Sequence, residues 1–247
     1  MGSSVVQVGW PFGRVLVILM ALAAGIGALA RLRVSRDVVV AGLRAVAQLA
    51  AVSLLITWVL THWGATVGFV VLMVAVASFT SARRIHAHRA GWAAAAIVVG
   101  VVPVLALVLV AGVVPPEPVA VVPIAGILIG GAMTATSLAG RRAMDDLRVR
   151  HGEFEALLSI GLPAPDAIRE LCRPTVSHAL HPALDQTRTV GLVTLPGAFI
   201  GVLLGGGDPL QAGAAQLLVL IGLLAVETTA VVMVTELVAR GLIRSPR

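Results

Sequence analysis

Residues 92–114 read WAAAAIVVGVVPVLALVLVAGVV and contain no charged side chain. A helix needs about 20 predominantly apolar residues to cross the ~30 Å hydrocarbon core of a bilayer, so this stretch is long enough to span one. Working outward, six more apolar stretches occur at 15–30, 38–60, 64–82, 119–140, 189–204 and 212–238. Of all 247 residues, 58% are hydrophobic and 12% charged, and the mean hydropathy is +1.00. Soluble domains carry roughly 25% charged residues, which excludes a soluble enzyme and leaves lipid as the solvent for most of the chain. The expected fold is an all-α integral membrane protein, a single domain over 1–247 with about seven transmembrane helices.

The basic residues then orient it. All 18 are Arg, and neither Lys nor Tyr occurs. Without Lys there is no Walker A lysine to hold ATP phosphates, so any ATP-driven work needs ATP and Mg on a separate chain. Cys172 is the single cysteine, which excludes an intrachain disulfide and every multi-cysteine metal motif. Arg31, Arg33 and Arg36, then Arg83, Arg84 and Arg89, the segment 141–188, and finally Arg240, Arg244 and Arg247 all fall on one side of a seven-span topology. The opposite connections, 61–64, 114–119 and 205–209, carry no basic residue, and Arg14 alone flanks the N-terminus there. The positive-inside rule puts the N-terminus outside and the C-terminus in the cytoplasm, across an inner (plasma) membrane. The sequence pI near 11.5 is thereby an orientation signal, and a nucleic-acid partner is not needed to explain it. Ala28-Leu29-Ala30 resembles a signal-peptide cleavage site, but the three Arg that follow read as a cytoplasmic stop behind a retained helix.

Fourteen of the chain's thirty charged residues fall within 141–188, half of them acidic, which marks a structured, solvated cytoplasmic segment rather than a polybasic lipid-binding stretch. Residues 153–160 have helix-forming composition, Gly161 suits a left-handed C-terminal cap, and Pro163 or Pro165 suits the first turn of a second short helix. Helix, tight turn and amphipathic helix form a device that can pass force from a soluble motor to membrane helices. Glu155 and Ala156 precede Gly161 by six and five positions, with Pro163, Asp166, Leu171 and Pro174 downstream. This spacing resembles the Glu-Ala-Ala loop of ABC-transporter permeases, which implies that these residues couple to an ATPase. A helix-turn-helix connection with no partner is the plain structural alternative.

A wider resemblance covers about 31–240. Residues 122–127 (VPIAGI), Gly131-Ala132-Met133, residues 189–197 (TVGLVTLPG) and Gly207-Asp208-Pro209 are similar to signatures of the FetB-like permeases. That family pairs a small membrane subunit with a separate ATPase, chiefly in iron export, and its plant relatives act in aluminium tolerance. The resemblance implies a homodimer of permeases with two ATPases. Gly131 stands where the family pattern has Asn, and Ala198-Phe199 where it has two Met, so soft sulfur ligands are missing there and the resemblance implies the ABC architecture more strongly than iron.

The fifth and sixth spans read as the transport pathway. Gly126 and Gly130, then Gly197, Gly201 and Gly205, form small-residue steps that let helix backbones approach closely. Pro196-Gly197 interrupts the sixth span, freeing backbone groups that must face protein or a wet cavity. Tight packing and a substrate-lining kink both satisfy that pattern. Met133, Thr134, Thr136 and Ser137 are candidates to face such a cavity, Met133 equally as packing. Glu227, in the middle of the last span, is either a functional intramembrane acid or satisfied structural polarity. Arg44 is placed to snorkel, and Gln48 to make an interhelical hydrogen bond. His178, His181 and Asp185 fall at i, i+3 and i+7, but Pro182 breaks that helix, so they read as a solvated face with no metal assigned.

The function expected from these residues is the permease subunit of an ABC exporter, moving a metal ion of the iron kind or a small solute. The alternatives are a proton-coupled secondary transporter using Glu227, or a membrane scaffold whose loop recruits a soluble protein. Activity that depends on a partner ATPase separates the first from the others.

Overall fold

A computed structural model describes residues 9–85 and 90–243; Arg89, Arg244 and Arg247, used in the orientation argument, lie outside the described residues. The chain divides into two compact units, 1–61 and 62–247. The first contains α1 (Trp10–Leu29) and α2 (Ser35–Thr61), joined by a turn in which Arg31 and Arg33 have φ of 54° and 58°. Ser35 Oγ donates to the Ala24 carbonyl at 2.8 Å and fixes the entry to α2. Gly42 leaves room for Met20, whose Sδ lies 2.6 Å from where a Cβ at 42 would be. Most side chains of this unit are exposed, Arg44 and Gln48 among them, as suits helices solvated by lipid.

The second unit holds α3 (Trp63–Ile85), α4 (Ala90–Val110), α5 (Pro118–Val149), α6 (His151–Ser159), α7 (Ala164–Val176), a 3-10 turn (Ser177–Leu180), α8 (His181–Thr189), α9 (Gly197–Leu204) and α10 (Pro209–Ala239). Glycine and alanine set its packing. A Cβ at Gly100 of α4 would meet the Val226 carbonyl of α10 at 2.9 Å, and one at Gly140 of α5 would meet Ile85 of α3 at 2.8 Å. The helix axes can therefore approach closely, burying Ala93, Ala96, Ala125, Ala132, Ala135 and Ala139 completely.

Contact order fixes the helix directions. Going along α3, Met73 meets the Gly126 position, Ser81 meets Ser137 and Ile85 meets Gly140, so α3 and α5 run parallel. Leu128 meets the Gly222 position of α10, Leu223 and Glu227 meet Gly131, and Ala135, Ala139 and Ala143 share a cluster with Val231, Val234 and Val238. Thus α10 is also parallel to α5. On α4, Gly100 faces Val226 and Val104 faces Gly222, so α4 runs the other way.

Parallel α5 and α10 leave the chain at one end of the bundle after Val149 and require it at the other end by Pro209. The return is where the structure differs from a simple seven-helix reading. Among the described residues six helices are long and apolar enough to cross a membrane, α1 to α5 and α10, whereas the stretch 189–204 is not one helix. Gly191 has φ of 81°, its N–H bonds the Thr194 carbonyl at 2.9 Å, and Pro196 is extended with ψ of 161° as the N-cap of α9. Pro196 also biases Leu195 away from helical backbone. The eight residues of α9 rise only ~12 Å. The sixth crossing is therefore broken, made in steps by α8, an extended turn and α9.

At the other end α5 overshoots. Its 32 residues rise ~48 Å, well beyond the hydrocarbon thickness, and the excess carries the α6–α7 hairpin. For α10, Asp208 caps the start by accepting from the N–H groups of Leu210 (2.8 Å) and Gln211 (3.0 Å), with Pro209 in the first turn.

Candidate functional site

Two places gather the polar chemistry of the second unit: the α6–α7 hairpin at one end, and a cleft towards the other. The hairpin turns where the Gly161 cap was expected. Gly161 has φ of 94°, its N–H bonds Leu158 O at 3.0 Å, and the Leu162 N–H bonds Leu157 O at 3.2 Å, the paired bonds of a Schellman cap. Glu155, Ala156, Gly161, Pro163, Asp166 and Pro174 are exposed, while Leu171 is buried. Ala167, Leu171, Cys172 and Val176 form the buried face of α7, packed on α5 and α10. The hairpin thus offers one polar face outward and holds the bundle with the other.

Charged and polar side chains tie the hairpin down. Arg150 grips Glu153 through Nε–Oε1 (3.0 Å) and Nη2–Oε2 (2.5 Å), and its Nη1 donates to the Leu171 carbonyl at 2.8 Å. That grip holds the Glu153 carboxyl below its ordinary range and the Arg150 guanidinium above its own. Thr175 Oγ1 donates to Asp146 on α5. Cys172 is fully buried, its Sγ 3.7 Å from the Ala143 carbonyl, and burial pushes the thiol up to about 11.

One contact reaches further. Arg169 of α7 makes a two-pronged bond to Glu236 near the end of α10, Nε to Oε2 and Nη2 to Oε1 at 2.8 Å each. The Arg169 guanidinium is raised above its ordinary value chiefly by this hydrogen bond, and it also pairs with Asp166. Glu236 accepts in addition from Arg240 Nε at 2.5 Å. Sequence reading passed over this clamp, because Arg169 and Glu236 lie 67 positions apart. Glu236, an acid in the last turn of an apolar helix and four residues before Arg240, was the available signal.

The cleft encloses about 1030 Å³ between α9, the N-terminal halves of α5 and α10, and the chain just after α4. Of the pathway candidates, Pro196 and Gly197 line it. Met133, Thr134 and Ser137 do not: Met133 packs with the Ala132 and Leu128 cluster, Thr134 Oγ1 donates to the Gly130 carbonyl (3.0 Å), and Ser137 Oγ donates to the Met133 carbonyl (2.7 Å) beside Ser81. Glu227 is buried one turn beyond Leu223, which does line the cleft. The polar lining comes from Gln186, Gln211 and Gln216; for the last two a lone amide in an apolar run was the only sequence cue, and Gln186 stands among the charged residues of 141–188. His178 and His181 lie with ring centres 4.9 Å apart on an exposed surface, and no cluster of three metal-ligating side chains occurs among the described residues.

Comparison with known proteins finds relatives of the chain. The profile of the family described as "Uncharacterised protein family (UPF0014)" matches residues 14–243. The UPF0014 membrane protein STAR2 of Oryza sativa subsp. japonica is 30% identical over 225 residues, covering 89% of this chain and 78% of that protein. The UPF0014 membrane protein YjkA of Bacillus subtilis (strain 168) is 32% identical over 192 residues, 75% of this chain and 76% of its own. The "Probable iron export permease protein FetB" of Escherichia coli (strain K12) is 32% identical over 145 residues, 59% of this chain and 56% of its own. No solved structure matches the chain.

Proposed function

The chain belongs to the UPF0014 family, a group of multi-pass membrane proteins, and on that footing we propose that it is the membrane-spanning permease subunit of an ABC exporter. Two copies would work with two separate ATPase chains that carry the ATP and Mg, and the cargo is a metal ion or a small solute. A relative named as a probable iron export permease supports the transport reading, and the lack of Lys for a Walker A site here is in keeping with ATP bound on a separate chain. The observation that carries it is the α6–α7 hairpin, capped at Gly161, open on its polar face and clamped to α10 through Arg169 and Glu236. The orientation is N-terminus outside and hairpin in the cytoplasm, of an inner (plasma) membrane.

Co-purification with an ATPase tests the dock. Forcing a β-branched residue into left-handed backbone costs ~1–2 kcal/mol, so Gly161→Val should reduce ATPase recovery about tenfold while the permease still inserts. Undiminished recovery and ATPase stimulation would place the dock elsewhere. Orientation has a separate test, since buried Cys172 is a poor probe and Ala164 is exposed. With Cys172 replaced by Ser, Ala164→Cys should resist a membrane-impermeant thiol reagent in intact cells and react after disruption. Labelling in intact cells would reverse the topology.

A further inference from the structure

Beside the hairpin a second cavity, of about 1010 Å³, lies between the last turns of α3 and α10, the end of α5 and the first turn of α7. Four guanidiniums line it, Arg84, Arg141, Arg148 and Arg240, against one carboxylate, Asp145. Asp145 is taken by Arg148 at 3.2 Å, and Arg240 holds Glu236 at 2.5 Å. Arg84 and Arg141 are exposed and make no ion pair among the described residues; Arg141 Nε donates to the Ser137 carbonyl of its own helix at 3.3 Å. The rest of the wall is largely apolar, with Ile85, Met144, Leu147, Ile168 and Val238.

The two unpaired guanidiniums stand at the edge of the hydrocarbon. Residues 63–82 and 118–140 contain no charged side chain, and Arg83-Arg84 and Arg141 follow them directly. Ser137 Oγ donates to Ser81 Oγ at 3.1 Å and sets the register of the parallel α3 and α5. Arg84 and Arg141, three and four residues further on, therefore reach one level, roughly 4.5 and 6 Å beyond that bond. Two positive charges brought to one cavity without a counter-charge call for an anion, and the guanidinium fork matches phosphate oxygens. A nucleotide would need a ring on which to stack its base, and no Phe or Trp lines the cavity. An anion that carries its own apolar body to this boundary is a phospholipid, and basic pockets between membrane helices at this level suit such headgroups. We propose that the cavity holds the phosphate headgroup of one anionic phospholipid between Arg84 and Arg141, with the acyl chains against the apolar wall. Through Arg240 the site adjoins the Glu236 clamp, which puts the lipid at the joint between α7 and α10.

Native mass spectrometry of the full chain, delipidated in detergent and given equal amounts of phosphatidylglycerol and phosphatidylcholine with the same acyl chains, reads the lipid retained. No ATPase is present, so the result is independent of the dock. The wild-type chain should keep one phosphatidylglycerol with a preference of about tenfold or more over phosphatidylcholine, the worth of two Arg beside an anionic headgroup. Arg84→Gln with Arg141→Gln should bring that preference close to one. Arg173→Gln, which removes an exposed base of α7 outside the cavity, should leave it unchanged. Glycerol phosphate, the same phosphate without acyl chains, should not displace the lipid at equal concentration. The wild-type comparison of the two lipids holds even if the double variant folds poorly. The proposal is overturned if the wild-type chain retains both lipids alike, if the double variant keeps the preference, if Arg173→Gln lowers it as much, or if glycerol phosphate displaces the lipid, which would make the site one for a soluble phosphate.

Discussion

Arg169→Glu is expected to stop ATP-driven transport while leaving the permease inserted and its ATPase bound. The clamp it breaks is the sole ion pair among the described residues that joins the α7 surface to the last membrane helix, and its forked geometry fixes angle as well as distance. Partly exposed pairs of this kind add little to stability, so the loss should fall on coupling rather than on folding. A motor that moves α7 through its exposed face would then no longer carry α10 with it. Placing Glu at 169 also sets like charges together, driving the two elements apart. Coupling between sites typically amounts to about 5–150-fold, so transport in proteoliposomes should fall by at least tenfold while ATP hydrolysis persists. The exchange Arg169→Glu with Glu236→Arg should recover part of it, because the pair is restored in reverse; a single variant that transports normally, or a double no better than the single, would remove the clamp from the coupling route. Salt offers a second check, since a screened pair weakens while the buried Leu171 and Val176 contacts do not.

How much of this was legible in the sequence follows the range of the interactions involved. Residues 92–114 announce α4 because crossing a membrane is a local demand on length and composition, met within one segment. The Gly161 cap was legible for the same reason, and the backbone there has the expected positive φ. The stretch 189–204 was legible as apolar and as interrupted at Pro196, but its division into a turn at Gly191 and a short α9 depends on what α10 and α5 provide alongside. Which helices pack against which was not legible, although alternating spans already implied a common direction for the third, fifth and seventh. That α5 packs against both α3 and α10 comes from pairs such as Ser81 with Ser137, and small residues mark close approach without naming the partner. Thr134 and Ser137 were singled out as hydroxyls for a cavity; both bond to carbonyls of their own helix, a possibility that any Ser or Thr in a membrane helix carries.

Glu227 draws these strands together. It is 6% exposed, one turn from Leu223 in the cleft wall and nine residues, roughly 13 Å along the helix, from the Glu236 clamp. No hydrogen bond or ion pair of this side chain occurs among the described residues. Its space is made by Gly131, where a Cβ would stand 2.8 Å from Glu227 Oε1 and 2.3 Å from Leu223. A charge at mid-membrane costs about 2.5–3.5 kcal/mol on insertion scales, so an acid held here without a partner has to be offset by a proton or by a cationic group of the cargo. Glu227→Gln preserves shape and hydrogen-bonding capacity and removes that demand. The variant should insert and bind its ATPase normally, lose transport by about tenfold or more, and show no dependence on pH where the native chain does. Gly131→Ala, which crowds the same carboxylate without altering its charge, should lower the rate yet keep the native pH profile. Transport measured with the ATPase present, from mildly acidic to mildly basic solution, decides between the two roles. A Gln variant with native rate and native pH profile would leave Glu227 as a packing group and confine the pathway to the amide-lined cleft above it.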